Sequence, residues 1–255
     1  MLELLWIVAL AFVLELVDNG LGGGFGTIMS PLLIIFGFSP LIVVPAVLMS
    51  EMCSGLWGAY WHGKFKNIDY RVSTWTLVGA IAGMVIATLM IGLVLSATQV
   101  KWYISIIAVA FGVFVIVKSF MDLSKWGKAQ PAAWKVGILG FICGFNKGGT
   151  GGGYGPLSVS GYMVLGLTAA VAIGTTTLAE GIASSIGFAM NFGTIDQYLF
   201  LAVPLIIGSM IADPVGAYVN DKLKISLTPP FHGRFIGVIM VVLGSIALAK
   251  VAGLF

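Results

Sequence analysis

Asp18-Asn19-Gly20-Leu21-Gly22-Gly23-Gly24-Phe25-Gly26 sets five glycines within nine residues, directly after an apolar run. Helix is not sustained through so many glycines, because each one loses much backbone entropy and has no side chain to pack. The stretch therefore reads as a break. It also returns: Gly22-Gly23-Gly24-Phe25-Gly26 recurs 129 residues later as Gly151-Gly152-Gly153-Tyr154-Gly155. The same offset carries Glu51 onto Glu180, Gly58 onto Gly187, His62 onto Asn191 and Gly79 onto Gly208. Uncharged runs follow suit, Asn19 to Ser50 in the first copy and Gly148 to Ala179 in the second. A slightly larger offset, 132, aligns Gly112 with Gly244 and Lys118 with Lys250. A collinear set of matches is the mark of an internal repeat.

Composition says what kind of chain carries the repeat. Of 255 residues, 59% are hydrophobic and 9% are charged, and the mean hydropathy is +1.06. A soluble domain has about 25% charged residues. So few charges cannot cover a water-facing surface, which excludes a soluble enzyme, a disordered protein and a disulfide scaffold. The remaining class is an all-α polytopic membrane protein. Strand alternation is absent, which argues against a membrane barrel. The net charge is +3 without a polybasic patch, so nucleic acid is not an expected partner. Met1 to Leu14 carries Glu3, with no basic start and no small-x-small cleavage site. It reads as a first membrane segment and not as a removed signal.

Each copy divides into five hydrophobic segments. They fall near 2–17, 24–38, 40–62, 72–97 and 102–118, then near 132–146, 153–166, 169–191, 197–219 and 235–253. Residues 1–118 form the first repeat and 132–255 the second. The connector 119–131 holds Asp122, Lys125, Lys128 and Pro131 and is read as a cytoplasmic linker. Basic residues gather in three clusters that hold all 13 except Lys101, Lys147 and Lys250. Placing the clusters in the cytoplasm puts both termini outside. The first copy is basic between its third and fourth segments, the second between its fourth and fifth. Opposite orientations follow, and the repeats are expected to be inverted. The first two segments of each copy are short for a bilayer and joined by glycines. They read as glycine-broken or re-entrant half-helices, with two short tilted spans as the alternative.

Broken backbone inside hydrocarbon is tolerated where it is packed in protein or lines a polar cavity. Helices starting near Gly24 and Gly153 would point free N–H groups and a positive dipole end into such a cavity. Glycine lets an anion approach that backbone. An anion site is thus expected at Asn19, Gly22, Gly23, Gly24, Asn146, Lys147, Thr150, Gly151, Gly152 and Gly153, with tight packing as the alternative use of the glycines. Gly79-x-x-x-Gly83 is assigned to packing alone. Lys147 stands between apolar segments, where a charge is by default functional. It either meets an anionic substrate or pairs with Asp18, its repeat counterpart. Glu51 and Glu180 are the central residues of segments 40–62 and 169–191. An ionised carboxylate at the midplane is expensive, so each should be protonated or paired. With Asp18 they are the candidates for proton coupling or gating; bracing of the glycine loops is the alternative. His62, beside Trp61 and Lys64, reads as interfacial, and Asp213-Pro214 as a bend. Cys53 and Cys143 form no CxxC and read as buried hydrophobes; a sulfur-relay or assembly role is the minor alternative. No pattern points to a metal, a cofactor or a catalytic residue.

These residues resemble the TauE/SafE family of sulfite exporters, part of the wider 4-toluene sulfonate uptake permeases. Gly20-Leu21-Gly22-Gly23-Gly24 with Pro31, and Asn146 through Gly155, carry the resemblance, which covers essentially the whole chain. It implies a plasma (inner) membrane permease for small sulfur-containing anions, sulfite or C2–C3 sulfonates such as sulfoacetate or sulfolactate, often for export. It also implies about eight spans, which fits ten segments only if some are half-spans. The expected activity is secondary transport by alternating access, with an anion channel of the same fold as the main rival and a cation carrier as a weaker one. The expected partners are the anion, the lipid bilayer and a coupling proton, with a homodimer as the alternative to a monomer.

Overall fold

The computed structural model describes residues 5–121, 131–223 and 230–254, and every regular element among them is a helix. The order is α1 (Leu5–Leu21), α2 (Phe25–Ile35), α3 (Pro40–Lys64), α4 (Tyr70–Val94) and α5 (Ala97–Lys118), then α6 (Ala133–Thr150), α7 (Tyr154–Val164), α8 (Ala169–Asn191), α9 (Ile195–Leu223) and α10 (Pro230–Val251). Each expected segment has its helix. Residues 122–130 of the polar connector, with Asp122, Lys125 and Lys128, lie outside the described residues, as do Glu3 and Lys224.

Local chemistry sets the helix starts. Ser39 caps α3 ahead of Pro40, whose missing N–H is harmless at that position. The Asp69 side chain accepts from Val72 N at 3.0 Å and starts α4. Ser96 and Gln99 form a reciprocal capping box at α5.

Lengths divide the helices into two groups. α3, α4, α5, α8, α9 and α10 have 22 to 29 residues. At about 1.5 Å per residue each reaches at least ~33 Å, enough to cross a hydrocarbon core of ~30 Å. The apolar run from Ala169 to Lys222 is 54 residues long. It supplies two crossings, because a 3-10 turn at Phe192–Thr194 separates α8 from α9 and both pack on α3. α2 and α7 have 11 residues each, about 16 Å, half a crossing.

The short helices double back. At α1 and α2, the rings of Trp6 and Phe36 lie 4.7 Å apart, so the end of α2 returns to the start of α1. At α6 and α7, Gly161 sits against Leu139, so the later part of α7 returns to the first half of α6. Both hairpins carry their glycines at the tip.

Contacts sort the chain ends into two poles. Phe38 meets Phe200, and Lys250 Nζ donates to Ile35 O at 2.6 Å. That pole holds Trp6, the tip-distal ends of α1 and α2, and the end of α10. At the other pole Phe65 meets Tyr218, Asp69 N donates to Thr175 Oγ1 at 2.9 Å, and Arg234 stacks on Phe120 at 4.0 Å. Lys64 over Tyr60 and Trp61, and Lys222 over Tyr218, add to the basic and aromatic belt there.

The main helix pairings are α4 with α6, α1 with α9, α5 with α10, α3 with α8, α3 with α9 and α4 with α8. Exchanging α1–α5 for α6–α10 leaves that set unchanged. Small residues permit the closest of these contacts. A Cβ on Gly79 or Gly83 would strike the α6 backbone at Gly137 and Phe141, and one on Gly140 or Gly144 would strike α4 at Thr76 and Ala80. The packing expected of Gly79 and Gly83 is what they do. Large aliphatic side chains face outward, Leu93, Val78, Val117 and Ile211 among them, while Lys147, Asp213, Asn19 and Glu51 are buried. Apolar outside with charge inside suits lipid as the surrounding solvent.

Candidate functional site

The glycine tips of the two hairpins meet in the interior. Gly22, Gly23 and Gly24 have φ of 89°, 133° and 149°, and Gly151 and Gly153 have 73° and 76°. L side chains rarely adopt such angles. The meeting also leaves no room for a side chain. A Cβ on Gly152 would overlap the Gly26 backbone, and one on Gly23 would come within 2.7 Å of the Pro156 nitrogen. The packing use of these glycines is therefore realised, and it is realised between the two loops.

Several loop amides already have partners. Phe25 N, at the start of α2, donates to Asp18 Oδ1 at 3.2 Å. Gly153 N donates to Thr27 Oγ1 at 2.8 Å and Gly152 N to Thr150 Oγ1 at 3.0 Å. Asn146 Nδ2 donates to Gly152 O at 2.9 Å, which ties the second loop to α6, while its Oδ1 is buried without a partner. Each loop is thus braced by the helix before it, and the second also by Thr27 of the first hairpin.

Lys147 lies at this crossing, fully buried. Its ammonium pairs with Glu51, and with Glu180 Oε1 at 2.7 Å. α3 and α8 bring the two carboxylates together because they cross backbone to backbone at Gly55 and Gly181, directly beyond the glutamates. Pairing with both glutamates, and not with Asp18, is how the structure satisfies the charge of Lys147.

Two small cavities flank the crossing. One is lined by Glu15, Asp18, Glu51, Ser54, Gly55, Thr177 and Glu180. The other is lined by Gly26, Thr27, Ser30, Thr150 and Gly153, with Ile104, Ile107 and Ala108 behind them, and has no carboxylate. Ser30 Oγ and Ser54 Oγ, one at each cavity, are buried without partners. Each cavity has room for little more than a water molecule.

Residues 7–247 match the family described as sulfite exporter TauE/SafE. The chain belongs to the TauE/SafE family. It is similar to two proteins of Bacillus subtilis. One, a "Probable membrane transporter protein YtnM", is 26% identical over 94% of this chain and 79% of its own length. The other, a "Probable membrane transporter protein YjnA", is 23% identical over 81% of this chain and 85% of its own length. No solved structure matches the chain. Membership makes it a multi-pass membrane transporter.

In this TauE/SafE chain the expected residues divide by position. Asp18, Glu51, Glu180, Lys147, Asn146, Thr150 and both glycine loops converge on the crossing. Asn19 lies beside it with both ends engaged: Nδ2 donates to Glu15 Oε1 at 3.2 Å and to Asp213, and Oδ1 faces Thr177 Oγ1 at 3.0 Å. His62 is not interfacial. It is fully buried, with Nε2 3.3 Å from Asn19 Oδ1 and Nδ1 3.4 Å from Asn220 Nδ2. Cys143 is buried in the apolar core and Cys53 is partly buried, both as free thiols. Sequence reasoning missed Glu15, Asp213, Thr27 and Ser30. Glu15 and Asp213 did carry a signal, since each is a charge inside an otherwise apolar helix.

Proposed function

We propose that this TauE/SafE chain is a secondary transporter that moves small sulfur-containing anions, sulfite or a C2–C3 sulfonate, outward across the plasma membrane. The observation that carries the reading is the buried ammonium of Lys147 at the meeting of two glycine hairpins. A lone lysine there is the natural counter-charge for an oxyanion. The neutral cavity beside it offers the hydroxyl hydrogens of Thr27 and Ser30, while the donors of Thr150 and Gly153 in its wall are already engaged. A tetrahedral or pyramidal oxyanion accepts hydrogen bonds from just such groups. Thr27 and Ser30 thereby join the expected substrate residues, while Asn19 becomes part of the scaffold.

Charge balance suggests the mechanism. Lys147 is already paired with two glutamates, so an arriving anion must displace at least one of them. The released carboxylate cannot stay ionised and unpaired in the interior, and it takes a proton. Anion and proton then move together.

We further read residues 1–118 and 132–255 as inverted repeats, each with one re-entrant hairpin and three crossings. The exchange pattern of the helix pairings supports this, as does the return of each hairpin to its own pole. The basic, aromatic pole faces the cytoplasm by the positive-inside rule, and both termini face outside. Rocking one repeat against the other would part the hairpin tips and open the site alternately to each side. The cavities are too small for sulfite while the tips touch, so binding requires the tips to part.

The test is counterflow in proteoliposomes. Vesicles holding purified protein and unlabelled sulfite should accumulate external radiolabelled sulfite transiently and saturably, with sulfoacetate competing. Linear, non-saturating flux without counterflow would make the protein a channel. Silence on sulfite and sulfonates would overturn the substrate class.

A further inference from the structure

The Lys147 cluster leaves two buried carboxyls and one partly buried one without a counter-charge. Glu15 on α1 and Asp213 on α9 meet at the α1–α9 contact, 3% and 0% exposed, and Asp18 lies a turn further along α1. None of the three is ion-paired with a lysine or arginine among the described residues. Asn19 divides its two amide hydrogens between Glu15 Oε1 and Asp213 Oδ1. That orientation is fixed from the other side. An amide nitrogen only donates, so Asn220 Nδ2 donates to His62 Nδ1, and the ring's own hydrogen sits on Nε2, facing Asn19 Oδ1. The Thr177 hydroxyl donates to the same oxygen. His62 and Thr177 are thus positioning residues that turn the Asn19 amide toward the carboxyls.

The one Asn19 amide nitrogen thus holds Glu15 Oε1 and Asp213 Oδ1 side by side, while Glu15 Oε2 and Asp213 Oδ2 are buried without partners. Two carboxyls gathered on one donor, away from water and without a cation, cannot both stay ionised, and a shared proton satisfies them. A separate observation points the same way. Ser54 Oγ, 1% exposed and without a partner, lines the water-sized cavity shared by Glu15, Asp18, Glu51 and Glu180. A hydroxyl and four carboxyls around that space suit a single water that passes protons between the pair and the Lys147 cluster. The ionisable groups gathered here are Asp18 on α1, Asp213 on α9, Glu51 and His62 on α3, Glu180 on α8 and Lys147 on α6.

We propose that Glu15 and Asp213 form a proton-binding site, a carboxyl pair that shares one proton, and that this proton is the one coupled to substrate movement. When an anion displaces a glutamate from Lys147, the pair's proton passes to the freed carboxylate, and the pair is reprotonated from solution. One proton then enters the site for each anion bound. The coupling half of this proposal rests on the transport reading above; the proton-binding half does not.

Two measurements test it. Infrared difference spectroscopy of the purified protein at neutral pH should show a protonated-carboxyl component. Asp213→Asn and Glu15→Gln should each remove it, because the new amide donates to the remaining carboxylate in the proton's place; Glu51→Gln should keep it. Both variants are isosteric, so if one fails to fold the other still decides. A component absent from the native protein, or intact in the folded variant, overturns the proposal. In proteoliposomes, a pH gradient should drive radiolabelled sulfite accumulation, and Asp213→Asn should lower it by about tenfold while leaving sulfite counterflow in place. Undiminished pH-driven accumulation overturns the coupling. A native protein that shows the infrared component but moves no sulfite or sulfonate supports the proton site and sinks the transport reading alone.

Discussion

Glu51 and Glu180, 129 residues apart and each at the middle of its helix, close on one ammonium, that of Lys147. Two carboxylates to one lysine leaves a surplus negative charge in the interior when all three are ionised. On the proposed reading the anion site is self-inhibited: the ammonium of Lys147 is occupied until a substrate competes for it. Replacing one glutamate should relieve this competition. Glu51→Gln is expected to bind sulfite more tightly than the native protein, by about fivefold or more, and to move it with weaker dependence on pH. Isothermal titration of the purified variant at two pH values would check both points.

Lys147→Met should do the reverse. It removes the counter-charge of the anion and strands two buried carboxylates. Breaking a buried pair by removing one partner costs about 3–5 kcal/mol, so a lower unfolding temperature should accompany the loss of sulfite binding. Adding Glu51→Gln and Glu180→Gln to Lys147→Met should restore the stability but not the binding. Recovered binding in that triple variant would remove Lys147 from the substrate site.

The hairpin tips should be intolerant of a single methyl group. Gly152→Ala places a Cβ in the Gly26 backbone, where nothing can give way. Overpacking in a well-filled core costs about 1–3 kcal/mol when side chains can adjust, and more is expected here. Gly137→Ala is the control, since its nearest neighbour outside its own helix is Trp75 O at 3.7 Å. Thermal unfolding in detergent should separate the two variants by several degrees.

The free thiols are expected to contribute packing and no chemistry. Cys143 sits in the apolar core and Cys53 is half-buried on α3. The Cys53→Ala/Cys143→Ala variant should retain sulfite counterflow, with a stability loss of about 1–2 kcal/mol from the smaller side chains. Abolished counterflow in a folded double variant would revive a sulfur-relay role.

That cysteine-free protein also reports the orientation. Leu254→Cys and Lys222→Cys place single thiols at opposite poles, both on exposed residues. A membrane-impermeant maleimide should label Leu254→Cys in intact cells and Lys222→Cys only after permeabilisation. Labelling of both from outside would contradict inverted repeats with the basic pole in the cytoplasm.

Much of this architecture is written in local sequence. Glycine runs in apolar surroundings must break helix, so both tips were legible, and a central glutamate in a 23-residue apolar run has to find a partner. The identity of the partner was not legible. The sequence offers Lys147 either an anionic substrate or Asp18, its repeat counterpart, but the backbone crossing at Gly55 and Gly181 delivers Glu51 and Glu180. His62 shows a second limit. In the last turn of α3, beside Trp61 and Lys64, it has every local mark of an interface residue. What buries it is Asn19 on α1 and Asn220 on α9, contacts that no neighbouring residue announces. Asp213 reads with Pro214 as a bend, and the first repeat has no acid at the equivalent place. A proton-binding pair of the kind proposed, built at one of two equivalent helix contacts, leaves no repeat signal.

The walls nearest the hairpin tips are main chain. Gly22 to Gly24 and Gly151 to Gly153 present no side chains, and the conformations of most of them, or the closeness of the opposing strand of backbone, bar any from being added. Evolution therefore has little to edit at the point of closest approach. A descendant of this protein that accepts a larger or differently charged cargo must change at one remove, at positions such as Thr27, Ser30 or Ile104 around the neutral cavity. Divergent substrate preference among such proteins should accordingly be written around an unvarying glycine centre.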